Sequence, residues 1–178
     1  MSLLSIPDSA KKIQEAKEIQ AYLQARGIHY ERWDISQPLS SDADEKSVLT
    51  AYETHLTPYC EKHGYQSVDV ICVNEETPNV GEIRKKFLQE HTHTEDEVRF
   101  FVRGQGLFWF HLPGEPIFSV LCQEGDLLSV PAHFKHWFDM GDAPYVKVIR
   151  MFTDPTGWVA HYTHSRVEER YQGASSWQ

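Results

Sequence analysis

HTHTEDEVRFFVRGQGLFWFHL, residues 91–112, changes character part-way along. It opens with two histidines one residue apart and a glutamate four residues after the second, then becomes a run of apolar, strand-type residues carrying Arg99 and Arg103. Alternate side chains of a strand share a face, so His91 and His93 are expected to point the same way. Thr94, Glu95 and Asp96 would then turn the chain, letting Glu97 meet both imidazoles from the neighbouring strand. From Glu97 onward Arg99 keeps to the ligand face, while Val98, Phe100 and Val102 take the other. This reverses the usual pattern of a barrel with an apolar interior. A polar site is expected inside, with the first helices or a second layer covering part of the apolar outer face.

Downstream of residue 96 the sequence keeps the same cadence. Val98–Arg103, Leu107–Leu112, Ile117–Leu121, Leu127–Val130, His136–Asp139 and Tyr145–Phe152 are short β-type runs. GQG, PGEP, QEGD and MGDAP lie between them, each a turn signal built on Gly, Pro or Asp. Short strands at this spacing predict an antiparallel barrel or jelly roll. Upstream the chain is mixed. Pro7 to Gly27 reads as a helix that Asp8 or Ser9 can cap, with Ile13, Ala16, Ile19, Tyr22 and Leu23 at helical spacing and Gly27 as the stop. Ile28–Trp33 reads as a strand and Asp42–Lys62 as a helix with Val48, Leu49, Tyr52 and Leu56 on one stripe. Ser67–Val73 reads as a strand and Val80–Glu90 as a short helix leading into the histidines. There is no internal repeat, and the polar tail from His164 to Gln178 is expected to be partly disordered.

Composition narrows the function. The chain has 178 residues, enough for one domain with a real core, and a formal net charge of -9. With no run of Lys or Arg it lacks the basic surface that nucleic acid or an anionic membrane demands. An anionic substrate would need a local cation. No signal peptide or membrane span is legible after Met1, so a soluble, cytoplasmic protein is expected. Cys60, Cys72 and Cys122 are widely spaced without a CxxC, and read as ordinary buried thiols rather than a disulfide framework or a thiolate zinc site.

The second half of the site lies in GDLLSVPAHFKHWFDMG, residues 125–141, where the turn at Gly125 and Asp126 and the loop after Pro131 would return His136 to the same place. HxHxxxExxxxxxG at 91–104 followed by GDxxxxPxxxxH at 125–136 resembles the two cupin motifs, with His91, His93, Glu97 and His136 matching the metal ligands. His133 stands where that pattern usually has Gly, and no Gly lies six residues before His91. The likeness extends further: EDEVRFFVRG, KHWFDMG and DPTGWVA, together with ERW at 31–33 and GYQSVDV at 64–70, resemble the bacterial acireductone dioxygenase family over nearly the whole chain. The fold so implied is mainly β with N-terminal helices. It is a cupin antiparallel β-barrel, jelly-roll-like, in one domain: α/β decoration over 1–66, a metal-binding barrel over 67–157 and a tail over 158–178.

Coordination chemistry agrees with this resemblance. Three neutral imidazoles and one carboxylate suit Fe(II), Ni(II), Mn(II) or Co(II). A structural zinc site would more often recruit cysteine and close at four ligands, whereas an octahedral ion would keep two positions for substrate. The resemblance implies Fe(II) or Ni(II), one per chain, with Mn(II) or Co(II) as substitutes. It also implies O2 and an acireductone, a methylthio-bearing enediol of methionine salvage that chelates as an anion, and a monomeric enzyme. Arg99 would supply the cation for that enediolate. By resemblance Phe87, Phe138 and Trp158 would wall the pocket around the methylthio tail, a sulfur–ring contact being mildly favourable.

Each of these assignments has a plainer counterpart. Phe87, Phe138 and Trp158 fit a core equally well, and Arg99 fits an ion pair with Asp96 or another carboxylate at the barrel rim. Glu90, Glu95, Asp96 and Lys135 read as solvated turn residues rather than general bases. His29, His55, His63, His161 and His164 read as structural or exposed. His111 and His133 are open between that reading and a supporting role behind the ligands. Two other functions share the motif: a non-redox cupin isomerase or hydrolase using the metal as a Lewis acid, and a non-catalytic metal-dependent binding protein.

Overall fold

The computed structural model describes residues 1–35 and 39–171. The chain begins with a hairpin where a long helix is expected. Strand β1 (Leu3–Ile6) pairs with β2 (Lys11–Ile13) across a 3-10 turn at Pro7–Ser9, and only Ala16–Gln24 forms an α-helix, α1. Ala10 reverses the chain: it takes a left-handed φ of 53° and its N–H closes a turn on the Pro7 carbonyl. Asp8 and Ser9 therefore lie in the turn, and Ile13 reaches the core from a strand. Ile19 and Leu23 bury as the helical spacing predicts, and Gly27 ends the segment at φ 79°.

The next elements follow the sequence reading closely: β3 (His29–Arg32), α2 (Glu45–His63), β4 (Ser67–Asn74) and α3 (Val80–Phe87). Asp44 caps α2, its side chain accepting from the Ser47 N–H at 2.8 Å, and Gly64 terminates it in the left-handed region.

β5 (His91–Thr92), β6 (Glu97–Phe110), β7 (Phe118–Gln123), β8 (Asp126–Val130), β9 (His136–Asp139), β10 (Tyr145–Phe152) and β11 (His161–Tyr162) complete the molecule. All pairings are antiparallel. One sheet runs β11-β5-β9-β6-β7-β1-β2, and β3-β8-β6-β10-β4 forms the other, so β6 belongs to both. The two antiparallel sheets sharing β6 form the jelly-roll-like barrel that the strand cadence predicts. The turn expected at GQG is absent: residues 104–106 lie inside a single 14-residue strand, at the place where it passes from one sheet to the other. Gly104 has φ +73° there, and a Cβ on it would fall 1.8 Å from the Tyr145 carbonyl oxygen. PGEP, QEGD and MGDAP do connect strands.

Of the residues read as N-terminal decoration, β1 and β2 extend one sheet and β3 the other. The apolar outer face of β6 is covered as expected, with Val98, Phe100 and Val102 buried against Val48, Tyr52, Leu56 and Tyr59 of α2. Of the expected tail, β11 pairs with β5, and Tyr171 is buried against Trp109 and Trp137. Residues 172–178 lie outside the described residues. The three cysteines are free, and Cys72 is exposed rather than buried.

Candidate metal centre and substrate pocket

The short strand β5 sits beside β9 with His91 directly opposite His136, which brings the two imidazole centroids to 4.6 Å. His93 lies just past the end of β5 rather than on it, yet its ring is 4.9 Å from that of His91. Its own carbonyl accepts the His133 N–H at 2.8 Å. His133 stands in the left-handed region at φ 66°, which is the physical reason a glycine suits that position of the motif. Glu97 opens β6, whose partner at that point is Val130 of β8. Since β5 pairs with β9 and β11 and not with β6, Glu97 does not reach His91 and His93 from a strand paired with theirs. The four side chains are all buried, and one donor atom from each lies within 4.8 Å of every other.

Each imidazole is oriented by a backbone carbonyl. Nδ1 of His91 faces Gln89 O at 2.6 Å, that of His93 faces Val159 O at 3.2 Å, and that of His136 faces Phe134 O at 2.8 Å. A carbonyl can only accept, so Nδ1 carries the proton and the Nε2 lone pair is turned inward. For His136 this creates a conflict, because its Nε2 lies 2.6 Å from Glu97 Oε2. Burial alone would raise the Glu97 pKa, but Arg99, the His136 hydrogen bond and the imidazoles together hold it well below the usual carboxylate range. With Nε2 unprotonated its lone pair would face an ionised oxygen, so this contact calls for a positive charge, either a proton on the ring or a metal ion held by both groups. Burial, reinforced by His136, pushes the His91 pKa down to about 4, which keeps its ring in the neutral form that metals require. The donor set therefore fits a divalent ion, and the orienting carbonyls are the supports such sites use.

Arg99 lies on the same face of β6 as Glu97, with Nη2 2.5 Å from Glu97 Oε1. It is inside the barrel, not at the rim; the rim carboxylate Asp96 instead accepts from Tyr65 Oη and the Ala132 N–H. The Arg99 guanidinium stands 4.9 Å from the Phe138 ring centre, 5.7 Å from that of Phe87 and 5.8 Å from that of Trp158. Its Nε is buried without a hydrogen-bond partner. These residues and three of the four donors, His91, His93 and Glu97, line one cavity of about 170 Å³, together with Ile71, Val73, Val146 and Val148. The last four were missed in the sequence, although each pair alternates along its strand onto one face. Lys86 and Arg150 also line the cavity. Arg150, directly opposite Arg99 in the β6–β10 pairing, is tied to Asp69.

Glu90 is not a solvated turn residue. It is 1% exposed, and its carboxylate accepts from Ser165 Oγ at 2.7 Å and Thr163 Oγ1 at 2.5 Å and contacts His111 Nδ1 at 2.6 Å. It pins the segment after β11 to the chain just before His91, and His111 is part of that anchor. His29, His55, His63, His161 and His164 stand outside the cluster.

A family model described as ARD/ARD' family matches residues 6–160. An acireductone dioxygenase of a Picosynechococcus species is 46% identical over 172 residues, covering 97% of this chain and 98% of the relative. One of Aquifex aeolicus is 45% identical over 161 residues, covering 90% and 87%. Among solved structures, an acireductone dioxygenase from Bacillus anthracis with a cadmium ion in its active centre superposes with a TM-score of 0.84 at 33% identity, covering 91% of this chain and 98% of that one. Those matches span both sheets and all four inward donors, and the chain belongs to the ARD/ARD' family.

Proposed function

We propose that the chain is a metal-dependent dioxygenase that cleaves acireductone with O2 in methionine salvage, using His91, His93, Glu97 and His136 to hold the ion. The observation that carries this reading is a cluster of four converging donors at the edge of one small cavity that an arginine and an apolar aromatic wall also line. The metal is Fe(II) or Ni(II), for which Mn(II) or Co(II) can substitute, in keeping with a nitrogen-rich donor set completed by one carboxylate. Bound there, the ion would favour the ionised enediol, which is electron-rich enough to react with dioxygen.

The protein's own groups divide the remaining work. Arg99 pairs with the enediolate and supplies positive charge directly beside the donor Glu97, in a cavity that Lys86 and Arg150 also line. Phe87, Phe138 and Trp158 enclose the methylthio tail and exclude water from the reacting carbons. Both oxygen atoms of O2 end in the products: formate and 4-methylthio-2-oxobutanoate with Fe(II), or formate, carbon monoxide and 3-methylthiopropanoate with Ni(II). The monomer reading comes from the family resemblance; all four donors belong to one chain, so the metal site itself needs no second copy, and the place of work is the cytoplasm. Among the described residues no helix is long and apolar enough to cross a membrane.

The test is to follow dissolved oxygen and acireductone together with metal-loaded and metal-free protein. Equal loss of both, only with metal, is expected. Acireductone loss without oxygen uptake would identify an isomerase or hydrolase, and binding without turnover a binding protein.

A further inference from the structure

Gly106 stands midway along β6, opposite Cys122 of β7, at a φ outside the left-handed region. Its backbone therefore does not require glycine. Its neighbour does: a Cβ built there would lie 2.1 Å from Phe138 Cζ and 2.3 Å from Phe138 Cε2. Phe138 reaches this spot from β9, where it pairs with Phe108, and its ring tip rests on the bare backbone of β6. The ring is closed in by Phe108, whose centroid is 4.7 Å away, and by Phe87 at 6.2 Å. Phe101 is also close, 3.4 Å from the same Cβ position. The open side of the ring is the cavity of about 170 Å³ that also holds Arg99.

A carbon–carbon contact needs roughly 3.5–4.0 Å, so a methyl group on residue 106 would drive the ring tip more than an ångström, and the cavity is where it can go. We propose that Gly106 is a specificity-determining residue: by having no side chain it lets Phe138 recess into the wall and so sets the room left for the substrate's thioether tail. Gly106 does not touch the reacting atoms. Its effect passes through Phe138 and falls on the tail, not on the enediol head. The inference rests on the acireductone reading of the pocket, and its test separates the two.

Wild type, Gly106→Ala and the double variant Gly106→Ala/Phe138→Leu are compared with acireductone and with an analogue that keeps the enediol head but ends in a methyl group. Metal content is measured in each. Crowding by one methyl in an apolar pocket discriminates by roughly tenfold or more. Gly106→Ala should raise KM for acireductone by about that factor, leave the truncated analogue's KM and kcat near wild type, and bind a full complement of metal. The double variant should return the acireductone KM towards wild type. Equal effects on the two substrates, no effect on either, or failure of the double variant to restore KM would overturn the proposal. Should Gly106→Ala not fold, Phe138→Leu alone should lower the relative KM for an analogue with a lengthened tail, and an unchanged preference would count against it equally. Calorimetric binding of 3-methylthiopropanoate against propanoate needs no turnover. Gly106→Ala should weaken only the former, whether or not the wild type consumes oxygen, whereas a wild type without oxygen uptake would count against the dioxygenase reading alone.

Discussion

Arg99 and Glu97 stand two residues apart on the inward face of β6, and Arg99 Nη2 lies 2.5 Å from Glu97 Oε1. One strand thus delivers to the cavity both the carboxylate that offers a cation an oxygen ligand and the guanidinium that offers an anion a partner. The contact is a close ion pair rather than an aligned hydrogen bond, since Glu97 Oε1 is left without a hydrogen-bond donor. Both groups remain available to other charges.

If Arg99 pairs with the enediolate, Arg99→Ala should cost about 2–5 kcal/mol of substrate or transition-state binding, as truncating one partner of a buried charge pair does. Arg99→Lys should recover only part, because a point charge lacks the planar fork. Steady-state kinetics with parallel elemental analysis checks this. Wild-type turnover in Arg99→Ala would remove the arginine from the mechanism.

His93→Ala and His136→Ala should each lose most of their metal, since no neighbouring donor replaces an imidazole in the four-residue cluster. The measurement is metal per chain after purification and dialysis. Full occupancy with normal activity in both variants would refute the ligand assignment.

Metal-free protein should lose stability in mild acid. The His91 pKa is pushed down to about 4 by burial and by His136, so between its ordinary value of 6.5 and about 4 the unfolded chain binds a proton that the folded chain refuses. Stability from this group is therefore complete above pH 6.5 and falls as pH drops through that window, by roughly 3 kcal/mol at about 1.4 kcal/mol per pH unit. Glu97, held low in the folded state, adds a loss of the same sign below 4.5. Urea midpoints of apo protein between pH 7.5 and 4.5 should decline, and His91→Leu should flatten the slope. A midpoint independent of pH would contradict the burial argument.

Glu90→Ala should lower the melting temperature by several degrees, because it strips the acceptor from Thr163, Ser165 and His111, and a buried polar group left unpaired costs about 1–3 kcal/mol. Protease cleavage after β11 should become faster while the purified protein still binds metal. Unchanged thermal and proteolytic profiles would show that the anchor is dispensable.

Three of the donors and the arginine were legible because they depend on local spacing: HxH, a glutamate four residues on, and a strand alternation from Glu97 to Phe100; His136, far along the chain, was legible through the resemblance of the second motif. The covering of Val98, Phe100 and Val102 by α2 was legible from local spacing as well. What escaped depends on tertiary context. The β1–β2 hairpin hinges on Ala10 adopting a left-handed conformation that its side chain does not advertise. GQG looks like a turn, yet its glycines serve close approach, Gly104 to the Tyr145 carbonyl and Gly106 to Phe138. Glu90 reads as a surface residue until β11 brings Thr163 and Ser165 back over it.

The most direct test of the account loads one preparation of apo protein with Fe(II) and with Ni(II), verifies the metal before and after, and analyses products under identical substrate and oxygen. The account predicts formate and the keto acid without carbon monoxide from the Fe(II) form, and carbon monoxide from the Ni(II) form. Two verified loadings that consume no oxygen with acireductone would contradict it.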